Sequence, residues 1–291
     1  MNRFLLVLGL LSLMATPGLK AHDPWVQINT NLVRTGDVIH IDLMLGNHGN
    51  EHRDFKLASK IGLEGVQSIG VFGPNGGRKA PPHDLKPDLV DLGLSPKDGF
   101  HSARYVPVKP GLYEVFQTMD RIVHHGKPVH AIKTAKAYFG VSDSLDHPAI
   151  HFQGFDKPIG QGLELVFLTN PVFPVGPGTS ITVQLFHKGK PLPETKVSFI
   201  PRGTTLKENL DAEYERFTDN EGKASFAPKL GTFHLIVAHL ETAEKGDGFE
   251  STTYNAAATL YIPQKRPVPS IDSLLPTRTR PRGDRRVFEF R

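Results

Sequence analysis

The chain contains no cysteine. That excludes disulfide cross-links, thiolate metal sites and a cysteine nucleophile, so an exported fold must be held by burial and backbone pairing. There is one tryptophan and there are four methionines, a poor supply of soft ligands for Cu(I). No apolar run beyond residue 21 approaches the ~18 residues needed to span a bilayer. No cysteine follows the amino-terminal apolar segment to accept a lipid. No segment keeps a 3.6-residue apolar period over three turns, so few helices are expected, with Asn209–Glu215 the one short candidate. A Gly-x-Ser-x-Gly elbow and a His-Glu-x-x-His helix are both missing, and a binding protein is expected rather than an enzyme.

The first 21 residues combine a basic start (Arg3), an apolar run Phe4–Met14, a Pro17-Gly18 break and a small residue, Ala21. This is the pattern of a secretory signal peptide, too short in its apolar part for a membrane helix. Cleavage after Ala21 leaves a periplasmic or secreted chain that begins with His22-Asp23-Pro24-Trp25. An amino-terminal histidine offers its α-amine and its ring Nδ1 to one metal ion. The two groups titrate near pH ~8 and ~6.5, so a metal displaces their protons at modest cost. The competing reading is that the cut merely precedes an incidental histidine.

The net charge of +4 misplaces the character of the chain. Arg3 and Lys20 supply +2 of it and residues 265–291 supply +5, which leaves −3 for the body between them. A mildly acidic body speaks against nucleic acid as a partner. The Pro/Arg-rich tail, residues 264–291, has little to bury and is expected to be disordered. Its basic residues suit an anionic membrane surface, at up to ~1 kcal/mol each close to the headgroups.

Between signal and tail, short β-rich runs recur between Gly, Pro, Asn and Asp, as in an all-β sandwich. Val38–Leu43 and Ile181–Phe186 alternate with period two. Further candidates are Leu112–Thr118, Ala131–Val141, Leu163–Thr169, Lys196–Ile200, Phe233–His239 and Thr252–Ile262. A Pro/Gly-interrupted stretch at 143–161 divides an amino-terminal sandwich domain, 22–145, from a second, immunoglobulin-like one, 150–263. Gly73–Pro96 reads as a long insertion in the first domain. Asp219-Asn220-Glu221-Gly222 reads as the turn of a hairpin. Trp25 reads as core packing for the first strand.

The order of landmarks is more informative than any one of them. His22-x-x-Trp25 leads to Thr35-Gly36-Asp37 and then Gly46-Asn47-His48. Pro110-Gly111-Leu112-Tyr113, Gly162-Leu163-Glu164-Leu165, Thr169-Asn170-Pro171, the Gly189-Lys190-Pro191-Leu192 turn and the Val237-Ala238-His239 strand end follow. In this order the chain resembles a large bacterial family of domains of unknown function associated with periplasmic components of nickel/cobalt uptake systems. The resemblance covers residues 22–263 and implies a metal-binding protein that supplies a membrane transporter, with nickel or cobalt ahead of copper or zinc. It carries His22, His48 and His239 over as ligands. The basic tail and the 73–96 insertion depart from the family's pattern.

The fourteen histidines fit imidazole chemistry independently. His52 stands four residues from His48, a ligand-like spacing across Gly49-Asn50-Glu51 whose alternative is a solvated loop. His101, beside the insertion, is placed to reach a site between the domains. His124, His125 and His130 surround a Gly126-Lys127 turn and read as exposed hairpin residues, since adjacent strand positions face opposite ways. His40 reads as a sheet-face residue. Two other function classes fit the same sequence: a structural or carbohydrate-facing sandwich without metal, and a copper protein built on an amino-terminal histidine brace.

Overall fold

Residues of high β propensity, set two apart between turn formers, form seventeen strands among the described residues of the computed structural model. It describes residues 23–46, 65–74, 80–93, 99–145, 153–160, 162–207 and 209–265. The signal-like segment, His22, His48, His52, the 146–152 linker and the tail beyond 265 lie outside the described residues. In chain order the strands are β1 (Asp23–Ile28), β2 (Leu32–Arg34), β3 (Ile39–Gly46), β4 (Ser68–Phe72), β5 (His83–Asp84), β6 (Val90–Asp91) and β7 (His101–Tyr105). A long hairpin follows, β8 (Gly111–His125) and β9 (Lys127–Ser142). The second half holds β10 (Leu163–Phe167), β11 (Ile181–His187), β12 (Lys190–Pro191), β13 (Lys196–Pro201), β14 (Glu215–Phe217), β15 (Lys223–Phe226), β16 (Phe233–Thr242) and β17 (Ser251–Tyr261).

The chain is an all-β sandwich protein, and its two halves are joined more closely than a linker would join them. Strand β17 of the second half pairs in parallel with β9 of the first, from Ser251 opposite Val129 to Thr259 opposite Ala137. One nine-stranded sheet therefore runs β14-β13-β16-β17-β9-β8-β4-β5, with β2 on the far end of β9. Alternation along its strands feeds two cores. On β16, Leu235 and Val237 enter the first core while Ile236 and Ala238 enter the second. On β17, Ala257 enters the first and Ala256 and Ala258 the second. The four-stranded sheet β1-β3-β7-β6 contributes Trp25, Ile39, Ile41 and Leu43 to the first core. The sheet β10-β11-β12, with β15 beside β11, contributes Leu165, Phe167 and Val183 to the second. A central sheet covered on both faces explains its apolar, alanine-rich strands, since neither face is free to alternate with polar residues. Trp25 is fully buried, as core packing requires.

Three local expectations resolve differently. The insertion at 73–96 is tied into the fold: β5 pairs with β4 in the large sheet and β6 with β7 in the small one. Asn209–Glu215 forms a turn instead of a helix. Asp211 carboxylate oxygens accept from the amides of Lys207, Glu213 and Tyr214, and the chain enters β14 at Glu215. A side chain that saturates the local amides competes with helix propagation. The Asp219–Gly222 turn also does not close a hairpin in one sheet, because β14 pairs with β13 and β15 with β11. It carries the chain across the sandwich. Asp219 Oδ1 accepts from the amides of Glu221 and Lys223, and Gly222 takes φ +76° where a Cβ would stand 2.8 Å from the Leu185 oxygen.

The Pro110–Tyr113 landmark has a physical explanation. Gly111 lies at φ +137°, and a Cβ there would stand 2.3 Å from that of Pro74. Tyr113 folds back to donate its hydroxyl to the Lys109 carbonyl at 2.9 Å and stacks on Phe139 with centroids 4.8 Å apart. Replacing Tyr113 by Phe keeps the stack and removes only the hydroxyl. The expected cost is about 1 kcal/mol, read from the urea midpoint at unchanged slope.

Candidate functional site

Three polar side chains line up where the first core ends. Lys133 on β9 pairs in register with Asn255 on β17, and Asn255 with His239 on β16. Opposed residues in neighbouring strands share a face and stand about 5 Å apart, so the row spans about 10 Å. Strand β1 packs against β9 and β17 and brings Asp23 to this row. The carboxylate is buried, with Asp23 only 4% exposed, and both neighbours bind the same atom: His239 Nε2 lies 2.9 Å from Asp23 Oδ1, and Asn255 Nδ2 donates to it. The His239 side chain keeps 55% of its surface in solvent, which leaves the ring reachable.

The electrostatics follow from this packing. Desolvation disfavours the His239 imidazolium, but the charge of Asp23 and the hydrogen bond to it outweigh that loss. Lys133 and Lys196 oppose them, and the net direction is upward from the ordinary imidazole value. Burial lowers Lys133, with Asp23 working against the shift and Arg121 adding to it. Asp23 thus joins first-half and second-half strands by one carboxylate whose partners come from β16 and β17. An imidazole and a carboxylate in contact can serve as two ligands of one ion, or the carboxylate can orient an imidazole that binds through its other nitrogen.

Of the five histidines singled out in the sequence, His239 stands in this cluster and is held by Asp23. His22 is the residue before Asp23; it, His48 and His52 lie outside the described residues. His101 is buried on β7, opposite Leu43 on β3 and Asp91 on β6, with Nδ1 lacking a hydrogen-bond partner. Among the described residues no three His, Asp or Glu side chains converge, so His101 does not stand with His239 and Asp23. Other histidines among the described residues make local contacts. His130 meets Asp120 and Phe249 near the hairpin turn, His83 meets Asp88 and Tyr105, and His187 packs on Tyr254. His124 and His40 are exposed.

Sequence reasoning missed Asp23, Asn255 and Lys133. Asn255 did leave a signal, as the one amide in the run Tyr254-Asn255-Ala256-Ala257-Ala258. Asp23 left none beyond its place after His22, because its partners are 216 and 232 residues away.

Comparison with solved structures returns distant likenesses. Salmonella alpha-2-macroglobulin reacted with methylamine aligns at 13% identity over 83% of this chain and 15% of its own, with TM-score 0.24. Yersinia pseudotuberculosis adhesin InvE aligns at 14% identity over 84% of this chain and 61% of its own, with TM-score 0.22. The D00-D0 domain of intimin aligns at 15% identity over 81% of this chain and 98% of its own, with TM-score 0.20. The chain thus spans less than two thirds of the first two. No curated protein matches. The model of one family matches residues 19–242, and the chain belongs to that family, the domain of unknown function DUF4198.

Proposed function

We propose that this is a periplasmic protein that binds a divalent transition metal, nickel or cobalt, and supplies it to a membrane uptake system. One observation carries the reading: Asp23 is bound by His239 at 2.9 Å. Consecutive Cα atoms are about 3.8 Å apart, so the residue before Asp23 is tethered next to an imidazole from the other half of the chain. If the signal is removed after Ala21, that residue is His22, with a free α-amine and a ring. The ion is then held by the His22 amine and ring and by His239, with His48 and His52 supplying further imidazole from the segment after β3. An N-rich, cysteine-free donor set suits Ni²⁺ or Co²⁺. Binding needs deprotonated nitrogens. Because Asp23 raises the proton affinity of His239, metal affinity falls with decreasing pH from a point above about 6.5.

The test is metal content and Ni²⁺ titration on protein exported with its own signal, beside protein carrying an extra Met before His22. One ion per chain is expected for the first and loss of tight binding for the second. His239→Ala should weaken binding at least tenfold, the usual scale for losing one site residue. His124→Ala should leave it unchanged. Equal effects of His239→Ala and His124→Ala, or a mature chain that starts elsewhere, overturn the reading.

A further inference from the structure

Val38, Val106 and Val108 stand where the small sheet runs out, with 46%, 39% and 72% of their surface in solvent. The ladder of β3 and β7 ends at Ile39 opposite Tyr105, with His40 opposite Arg104 behind it. Val38 and Val106 come one step further out. The Gly36 amide donates to the Pro107 carbonyl at 2.9 Å and keeps the two chains side by side. Exposure alternates along both of them. Val38 and His40 lie outside while Ile39 and Ile41 are buried, and Arg104, Val106 and Val108 lie outside while Pro107 is buried. The outer side of an antiparallel sheet is ordinarily polar. Here its last rung carries valines. Scattered exposed apolar residues need no explanation, but several at one place mark an interaction surface.

The charges around the valines say what kind of surface this is. Arg34, Arg104 and Lys109 are exposed at the same end, on a body of net charge −3. Arg104 and Lys109 form no ion pair among the described residues. The carboxylates nearby are engaged: Asp37 accepts from the Arg34 amide at 2.9 Å, and Asp143 from the Thr35 hydroxyl at 2.9 Å. Residues two apart on one side of a strand are separated by about 7 Å, so Arg104 and His40 stand that far behind Val106 and Val38. Apolar groups that enter a membrane surface reach about 5–10 Å into the boundary of headgroups and acyl chains, with basic side chains left among the headgroups. The valine rung and the basic rung have this separation. We infer that this end of the first half docks on an anionic phospholipid bilayer, with Val38, Val106 and Val108 inserted and Arg104 and Lys109 against the phosphates. The turn is already held by backbone hydrogen bonds, so docking orders little that was loose. The membrane contact goes beyond the metal reading and does not depend on it.

The lack of cysteine makes the test direct, because one introduced thiol takes the only label. Val108→Cys and His124→Cys, each in the full chain, are labelled with the polarity-sensitive dye NBD. They are mixed with vesicles of equal parts phosphatidylglycerol and phosphatidylcholine. His124 lies about 40 Å along β8 from Gly111, at the far end of the hairpin. The label at 108 should brighten and shift to the blue, and the label at 124 should stay as in water. In the unlabelled chain, Val108→Asp should weaken sedimentation with these vesicles roughly tenfold, the factor for one valine side chain kept out of an apolar phase. Added salt should weaken wild-type binding, and vesicles of phosphatidylcholine alone should bind it less. A chain that sediments with the vesicles while the label at 108 stays in water touches them through the tail or another surface, which overturns the inference. Equal shifts at 108 and 124, Val108→Asp sedimenting like wild type, or a wild-type chain that ignores anionic vesicles overturn it as well.

Discussion

Replacing Lys136 by Met is expected to cost about 3–5 kcal/mol, the scale for removing one partner of a buried ion pair. Lys136 on β9 meets Glu164 on β10, and their side chains are 4% and 3% exposed. The carboxylate also accepts from the amides of Ile159, at 2.6 Å, and Gly160, at 2.9 Å. Beside it, Thr134 donates its hydroxyl to the Leu163 carbonyl at 3.0 Å. This polar group joins the sheet of the first half to the opening strand of the second and fastens the connecting segment between them. Without the ammonium, the carboxylate keeps two amide donors but loses its counter-charge in a place water scarcely reaches. Methionine fills the volume of the lysine stem, so the loss should be electrostatic and not a cavity effect. Urea unfolding at pH 7 measures it. The double variant Lys136→Met with Glu164→Gln carries neither charge and should recover part of the loss, giving a coupling energy through the cycle. A single-variant cost below about 1 kcal/mol, the range of exposed pairs, would show that water already screens the site.

That pair also shows what the sequence made legible and what it could not. Ile181–His187 alternates because one face meets a core, and its period was readable; so were the β8 and β9 runs and the run Phe233–His239, though the strand does not stop at His239 but continues as β16 to Thr242. The short strands β1, β4 and β7 left weaker traces. Pro24 sits inside β1, and Gly70 sits inside β4, where a Cβ would stand 2.6 Å from the His83 oxygen. Neither reads as a strand former, and both are there for reasons of pairing. Buried Lys136 and Glu164 look like ordinary surface charges in sequence, since only the β9–β10 contact gives them to each other. The shared sheet was hidden for the same reason. A parallel register between β17 and β9 joins positions more than a hundred residues apart, and no local pattern encodes it. His239 could be singled out on its strand, although β16 runs three residues past it. Its meaning came from Asp23, Asn255 and Lys133, which the fold assembles from three strands far apart in the chain.

Acid should unfold this protein through a histidine that binds no metal in the scheme above. His234 on β16 is 2% exposed, and burial pushes its imidazole down to about 4, with a backbone hydrogen bond to the Thr232 carbonyl opposing the shift. In the unfolded chain the same ring titrates near ~6.5. Between these values the unfolded state binds the proton and the folded state does not, so stability rises with pH across that window. The contribution is whole above about 6.5 and is lost as pH falls toward 4. A difference of two to three pH units corresponds to about 3 kcal/mol at 1.36 kcal/mol per unit. His234→Phe removes the titration and keeps an aromatic ring near Phe226, whose centroid lies 6.0 Å from that of His234. The Thr232 carbonyl loses the imidazole and keeps the Ile262 amide as donor, so the variant can be somewhat less stable at pH 7. The slope of stability between pH 4 and 6.5 is the decisive quantity, because it does not depend on that offset. Measured by urea unfolding at half-unit steps, the slope should flatten in His234→Phe relative to wild type, whereas His124→Phe, at an exposed hairpin position, should leave it unchanged. An identical slope in His234→Phe and wild type would mean that other groups set the acid limit.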